Sequence, residues 1–265
     1  MTVLRPIRIA VQVQPQHGAY AQLREMVLTA EELGVDIVYN WDHFFPLMGD
    51  PEGRHFECWT MLGSMAEMTT RVEIGALVTC NSYRNPELLG DMARTVDHIS
   101  GGRLILGLGA GWQIRDYDAF GYEFGDAPSR LRALEADLPR TIARMAKGNP
   151  APTRRIPIMV GGGGEKVTLR IAAQHADTWH GFGDAETLKR KNAILDDHCR
   201  RLGRDPGEIE RSSGARLGSV AAGDELLATG ITQFTLGMDP TTFDRDAVRR
   251  WVAWRDERNV ERAAV

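Results

Sequence analysis

Short β-branched runs alternate with amphipathic helical stretches along the whole chain. The run IRIAVQV at 7–13 is followed by a helical stripe that ends at Gly34, and VDIVYNW at 35–41 predicts the next strand. The same alternation predicts strands at 71–79, 103–111, 156–164 and 176–182, with candidates at 211–220 and 231–238. Strands that alternate with helices are typical of a parallel sheet.

Local helix signals support this order. Asn85-Pro86 predicts an N-cap followed by a proline in the first turn, and Asp184 predicts the N-cap of a helix that ends near Gly203. Pro139 lies inside a helical pattern at 131–145, where we expect it to kink the helix.

Eight strand-helix units run along the chain without a linker or a break in composition. They predict the α/β class and one domain over residues 1–265, folded as a closed (β/α)₈ TIM barrel. A doubly wound open sheet is the structural alternative, because a single sequence does not show whether a sheet closes.

Composition narrows the classes of partner. The 265 residues carry 36 acidic and 32 basic side chains, and the basic residues are dispersed, so we expect no nucleic-acid partner and no membrane. No apolar run approaches the roughly 20 residues that span a bilayer. Cys58, Cys80 and Cys199 lack CxxC spacing, and the first residues lack the pattern of a signal peptide. We therefore expect a cytoplasmic protein.

Residues of unusual chemistry follow the predicted strands. Asp42 and His43 close the second strand, and the carboxyl ends of barrel strands form the active-site face. His43 is the main candidate for proton transfer, because an unperturbed histidine titrates near neutrality, although a structural role is the alternative. Asp42 can orient His43, accept a hydrogen bond from a ligand, or satisfy nearby backbone donors.

Two glycine-rich turns follow the fourth and fifth strands. Gly161 to Gly164 leads into a helix, where backbone N–H groups can hold a phosphate, and Lys166 adds charge nearby; a flexible turn is the alternative. GLGAG at 107–111 lacks GxGxxG spacing, which disfavours a Rossmann nicotinamide site. Together the two turns suit a cofactor with a flat ring and a phosphate tail.

Other kinds of site are less well supported. His55, Glu57 and Cys58 are close in sequence but lack metal-ligand spacing, so we expect no metal site. No GxSxG elbow is present. Trp112 and Trp179 fall at predicted strand ends, where they can wall a pocket. We assign Trp251 and Trp254 to packing in the last helix.

Four motifs occur in a familiar order: DHF after the second strand, GALVTCNSYRNP after the third, RLILGLGAGW at the fourth and IPIMVGGGG at the fifth. This combination resembles the bacterial luciferase-like superfamily, and within it the oxidoreductases that use the deazaflavin coenzyme F420. The resemblance runs from about residue 7 to at least residue 202. It implies a luciferase-like TIM barrel with the cofactor ring over the strand carboxyl ends, and a homodimer.

The resemblance also implies roles for particular residues. His43 would lie near the reactive face of the deazaflavin, and Asp42 and Thr79 would contact the cofactor. A non-prolyl cis peptide at Ala76-Leu77 would back the ring. The loops that hold the cofactor's tail and phosphate would comprise Ala110, Gly111, Gly162, Gly163, Gly164, Lys166 and Val167.

Two departures from the pattern concern the substrate. In the sugar-phosphate dehydrogenases of this branch, a glutamate follows the glycines of the fourth strand, and this chain has Trp112 there. Those enzymes also have a tryptophan at the position where this chain has Leu47. We therefore do not expect glucose-6-phosphate as the substrate. An apolar, aromatic-lined substrate pocket with Trp112 and Trp179 is implied.

The resulting hypothesis is an F420-dependent oxidoreductase that transfers hydride between the deazaflavin and a small, apolar or aromatic organic substrate. The first alternative is a luciferase-like monooxygenase that uses reduced FMN and oxygen. A flavin- or deazaflavin-binding protein without turnover, and a barrel hydrolase that uses Asp42 and His43, are the others.

Overall fold

A computed structural model describes residues 4–264, and within this range parallel strands close into a barrel. The strands are β1 (Arg8–Val13), β2 (Ile37–Asn40), β3 (Glu73–Ala76), β4 (Thr79–Cys80), β5 (Leu104–Gly109), β6 (Ile158–Gly161), β7 (Thr178–Gly181), β8 (Glu210–Gly214) and β9 (Gln233–Met238). Strand β9 pairs with β1, and β5 pairs with both β3 and β4, which share one barrel position. The (β/α)₈ prediction is confirmed, and the open-sheet alternative is wrong.

The helices surround this barrel. They are α1 (Tyr20–Glu32), α2 (Cys58–Met68), α3 (Pro86–Ser100), α4 (Ile114–Phe120), α5 (Ala127–Lys147), α6 (Thr168–His175), α7 (Ala185–Arg201), α8 (Ala221–Leu227) and α9 (Arg245–Ala263). Asn85 caps α3 by accepting from two backbone amides, and Asp184 caps α7 through Thr187 N, as predicted. Helix α5 continues through Pro139. The short helices α4 and α8 were not predicted from the sequence.

Two layers of side chains build the core. Outward-facing strand residues pack against the helices, and Trp251 and Trp254 of α9 lie in this layer, which confirms their packing role. A smaller apolar cluster fills the barrel itself and consists of Ala10, Ile37, Tyr39, Ile105 and Met159. Below it, Arg8 forms ion pairs with Glu73 and Glu210. The charged cluster therefore closes the interior of the barrel at the amino-terminal ends of the strands.

None of the helices within residues 4–264 combines the length and the mean hydropathy needed to cross a membrane.

Close contacts between neighbouring strands leave no room for a side chain at Gly107. A Cβ at Gly107 would lie 2.2 Å from the backbone oxygen of Ala76, which cannot move without shifting the neighbouring strand. We expect Gly107→Ala to lower the free energy of unfolding by about 1–3 kcal/mol. Gly63→Ala in α2 is the matched control, because a Cβ there meets no atom within 4 Å. Urea unfolding followed by circular dichroism measures both, and equal midpoints would contradict the close contact.

Candidate active site

A cavity of about 260 Å³ opens at the carboxyl ends of the strands, between the loops that follow β2 and β7. Seven of the residues predicted from the sequence line it: Asp42, His43, Leu77, Ala110, Gly111, Trp112 and Gly162. The barrel thus brings together segments that are far apart in the chain, at the face where we expected the chemistry.

His43 is held by an aspartate that the sequence analysis did not identify. Its Nδ1 lies 2.6 Å from Oδ2 of Asp116, whose side chain is fully buried. The Asp116 carboxylate also accepts from Phe44 N at 3.1 Å and from the Tyr83 hydroxyl at 3.1 Å. Since Asp116 engages Nδ1, Nε2 is the ring nitrogen that remains to exchange a proton with a ligand.

Helix α4 brings Asp116 to this position. Asp116 lies in the first turn of α4, which ends at Gly121 in the left-handed conformation. The rings of Phe44 and Phe120 pack with their centroids 4.0 Å apart, so the helix is attached to the loop that carries His43. Further aromatic rings extend this contact: Tyr83, Tyr117, Tyr122 and Phe124. The Asp116–His43 pair therefore rests on a packed aromatic cluster.

Asp42 has different partners from its neighbour. Arg84 donates to both of its carboxylate oxygens, at 2.6 and 2.9 Å, and Cys80 N donates to Oδ2 at 2.9 Å. Asp42 therefore connects the end of β2 to the segment after β4. Asp116, and not Asp42, orients His43; a cofactor contact by Asp42 stays a prediction.

The non-prolyl cis peptide lies at Leu77-Val78, one residue beyond the expected Ala76-Leu77. The parallel ladder explains this correction, because Ala76 still pairs with Asn40 and Leu77 N donates to Asn40 O at 2.9 Å. Ala76 is consequently a buried strand residue that does not line the cavity, whereas Leu77 and Val78 both do.

Val78 forms the floor of the cavity because two neighbouring positions lack side chains. A Cβ at Gly109 would lie 2.7 Å from Val78 Cγ2, and a Cβ at Gly161 would lie 2.9 Å from Val78 Cγ1. The valine thus fits between the ends of β5 and β6. Together with Leu77 it gives the cavity an apolar floor.

A lysine lies beside the glycine loop that follows β6, but it is Lys191 of α7 and not the expected Lys166. A Cβ at Gly163 would lie 2.4 Å from Nζ of Lys191, a residue of α7. Lys191 Nζ also donates to Phe182 O at 3.3 Å. Lys166 is exposed, and it does not line the cavity. Neither do Gly163, Gly164 and Val167, which continue the loop away from the cavity.

The two tryptophans predicted for the pocket differ. Trp112 is 62% exposed at the rim, with its ring centroid 5.5 Å from that of His43. Trp179 is fully buried in the layer between barrel and helices, and its Nε1 donates to Gly162 O at 2.8 Å. Trp179 does not line the cavity, because successive residues of a strand point to opposite faces of the sheet. Its neighbour His180 points into the barrel and lines the cavity.

Thr79 is also absent from the cavity lining. Its side chain is fully buried, and its Oγ1 has no hydrogen-bond partner among residues 4–264.

The cluster that was considered as a metal site has other contacts. His55 Nε2 accepts from the Trp41 indole, Glu57 caps α2 and binds Arg84, and Cys58 Sγ donates to Asn40. Within residues 4–264, no three His, Cys, Asp or Glu side chains lie close enough to hold a metal ion.

His180 is a second cavity histidine that the sequence analysis missed. It is 2% exposed, and its Nδ1 lies 2.9 Å from Ser212 Oγ. Burial lowers the pKa of His180 to about 4, so its ring is neutral at physiological pH.

This pKa gives His180 a measurable effect on stability. Between pH 6.5 and 4 the unfolded chain binds a proton at His180 that the folded protein does not. The free energy of unfolding therefore falls as the pH is lowered through this window, by up to about 1.4 kcal/mol per unit. We expect His180→Asn to reduce this pH dependence; the part due to His55, whose pKa burial also lowers to about 4, remains. Urea unfolding at pH 7 and pH 5 tests this, and an unchanged difference would contradict it.

The closed parallel barrel with its cavity at the strand carboxyl ends defines the architecture that many enzymes use. The family model described as luciferase-like monooxygenase matches residues 1–261, and the chain belongs to this family. The F420-dependent glucose-6-phosphate dehydrogenase of Microbacterium testaceum (strain StLB037) is 25% identical over 226 residues, which cover 77% of this chain and 66% of that protein.

Two further similarities extend the comparison. The pyrimidine monooxygenase RutA of Variovorax paradoxus (strain S110) is 33% identical over 115 residues, 42% of this chain and 31% of that protein. The chain thus spans less than two thirds of the length of these curated relatives. A solved F420-dependent secondary alcohol dehydrogenase, in complex with an F420-acetone adduct, has a TM-score of 0.82 at 16% identity and covers 95% of this chain and 99% of that one. At this identity the likeness concerns the fold.

Proposed function

We propose that this protein is an oxidoreductase that uses coenzyme F420 to transfer hydride to or from a small organic substrate. The observation that carries the proposal is the buried Asp116–His43 pair beside a cavity with an apolar floor. The similarity to an F420-dependent dehydrogenase over 77% of the chain supports the choice of cofactor.

The residues of the cavity and of the glycine loop beside it fit such a cofactor. Leu77 and Val78 offer an apolar surface on which a flat ring can lie, and this surface exists because Gly109 and Gly161 leave room for Val78. At Gly163 a side chain would collide with Lys191, so backbone and ammonium group lie close together, as a phosphate-bearing tail requires. When bound, the deazaflavin supplies the hydride chemistry, and the protein supplies orientation and electrostatics.

His43 would hold or release the proton that accompanies the transfer. Its Nδ1 is engaged by Asp116, so a substrate oxygen that reaches Nε2 can receive or give the proton there. Trp112 at the rim provides an apolar wall that suits an aromatic or apolar part of a substrate.

The alternative is a monooxygenase that uses reduced FMN, in keeping with the family description and the similarity to a pyrimidine monooxygenase. FMN and F420 share a tricyclic ring and a phosphate-bearing tail, so both suit the same floor and glycine loop. Fluorescence titration of the purified protein with F420 and with FMN separates the two. We expect F420 to bind more tightly, and tight FMN binding with negligible F420 binding would overturn the proposal.

Lys191 provides a sharper test of the phosphate loop. We expect Lys191→Gln to weaken F420 binding by about tenfold, because it removes the ammonium group next to Gly163. Lys166→Gln is the matched control, since Lys166 lies exposed on the glycine turn itself, yet none of its atoms is among those nearest to a Cβ at Gly162, Gly163 or Gly164. Fluorescence titration gives both dissociation constants. Equal losses in the two variants would show that general surface charge, and not Lys191, is responsible.

We further propose a cytoplasmic homodimer, as the resemblance implies. Light scattering after size-exclusion chromatography measures the mass of the particle, and a monomer of the chain's 29.4 kDa would contradict the dimer.

A further inference from the structure

A second cavity, of about 340 Å³, adjoins the first across the barrel mouth. It opens at the carboxyl ends of β1, β8 and β9, and shares Leu77, His180 and Phe182 with the first cavity. His180 therefore stands at the boundary between two spaces. A single molecule that spans this boundary would place one end in each cavity.

Thr235 gives the second cavity an unsatisfied hydroxyl group. It lines this cavity, its residue is 4% exposed, and its Oγ1 has no hydrogen-bond partner among residues 4–264. A buried hydroxyl without a partner is unfavourable, and a ligand acceptor beside it would remove that cost. Gln12, on the neighbouring strand, is held in place by its Nε2, which donates to Leu77 O at 2.9 Å.

The charge of the second cavity is positive. Arg216 lines it from the exposed loop after β8, and no carboxylate within residues 4–264 lies within 4.0 Å of its guanidinium group. No Asp or Glu belongs to the cavity lining. A guanidinium group presents paired donors that match a carboxylate, which makes an anion the ligand group that fits this lining.

We propose that the second cavity binds the carboxylate group of a small organic acid. Arg216 pairs with the carboxylate, and the Thr235 hydroxyl donates to it. The remainder of the molecule passes Phe182 and His180 toward the first cavity. That the bound acid is the substrate rests on the proposed function, because only a redox enzyme would convert it. The binding of the acid does not depend on the cofactor.

Benzoate and benzyl alcohol test the proposal, because they share a ring and differ in the carboxylate. Ligand-observed NMR on the protein without cofactor gives the dissociation constants. We expect benzoate to bind more tightly than benzyl alcohol, and Arg216→Gln to weaken the binding of benzoate by about tenfold. Arg216→Lys should restore part of the affinity. Thr235→Val should also weaken the binding of benzoate, although it leaves the charge of the cavity unchanged. The affinity for benzyl alcohol should stay unchanged in all three variants.

Arg249→Gln is the matched control, because it removes another exposed positive charge, on α9, from a residue that does not line the cavity. The proposal is overturned if benzoate affinity is the same in Arg216→Gln and Arg249→Gln, or if benzoate and benzyl alcohol bind equally. Titration of the same variants with F420 separates this result from the proposed function. Benzoate binding without F420 binding would refute only the cofactor, and F420 binding without benzoate selectivity would refute only the carboxylate site.

Discussion

Replacing His43 by asparagine is expected to lower kcat by about 10²–10⁴-fold while F420 still binds. The physical reason is that Nδ1 of His43 is engaged by Asp116, so Nε2 remains at the cavity to exchange a proton with a ligand, and asparagine cannot replace it. The measurement is the change in F420 absorbance during turnover with an acceptor identified by screening. Fluorescence titration of the same variant reports the affinity for the cofactor.

His98→Asn is the matched control for this experiment. His98 is exposed on α3, where its Nε2 bonds to Ala151 O and does not line the cavity. The control should retain the turnover of the unchanged protein. If His43→Asn also retains it, His43 has a structural role, and the proton must be exchanged by another group or by water.

Asp116→Asn is expected to give the second largest loss, about 10–100-fold in kcat, as when a group that orients a functional histidine is removed. The amide keeps the size of the side chain but offers a weaker, uncharged acceptor to His43 Nδ1. We expect KM and the F420 dissociation constant to change little. A change in the ¹⁵N spectrum of His43 should accompany the loss, because the ring no longer keeps a single tautomer.

Tyr83→Phe separates orientation from packing. It removes the hydroxyl that donates to Asp116 Oδ2 but leaves the carboxylate and the aromatic ring in place. We expect a much smaller loss of kcat than in Asp116→Asn. Equal losses of kcat in the two variants would show that both substitutions disturb the whole site. A fall in the F420 affinity of Asp116→Asn that parallels its fall in kcat would likewise show that Asp116 does not act through His43.

The barrel was predictable because its signals are local. Strands such as β1 and β2 are short runs rich in β-branched residues, and caps such as Asn85 and Asp184 depend on neighbours two or three residues away. The short helices α4 and α8 lack a sustained apolar period, so the sequence pattern did not show them. The position of the cis peptide required the register of β3 against β2, which is a property of two strands and not of one.

The site was predictable where a strand end determines position, and not where tertiary packing does. His43 follows β2 directly, whereas Asp116 is 73 residues away and reaches it only because α4 packs against Phe44. Lys191 lies in the middle of α7, with no nearby motif to indicate a ligand. For β7 a usable signal existed: with strict alternation, Trp179 and His180 face opposite sides, so both cannot line one cavity.

The contact of Val78 with Gly109 and Gly161 constrains the order in which this family member can change. A side chain at either glycine collides with the valine, so a larger residue at 109 or 161 is tolerated only after residue 78 has become smaller. Reduction of Val78 to alanine comes first, and it leaves a gap in the floor of the cavity until the second substitution fills it. Residues 78, 109 and 161 should therefore vary together among related barrels. Transfer of a larger residue from a relative to position 109 or 161 should destabilise the protein, unless residue 78 is replaced by a smaller one at the same time.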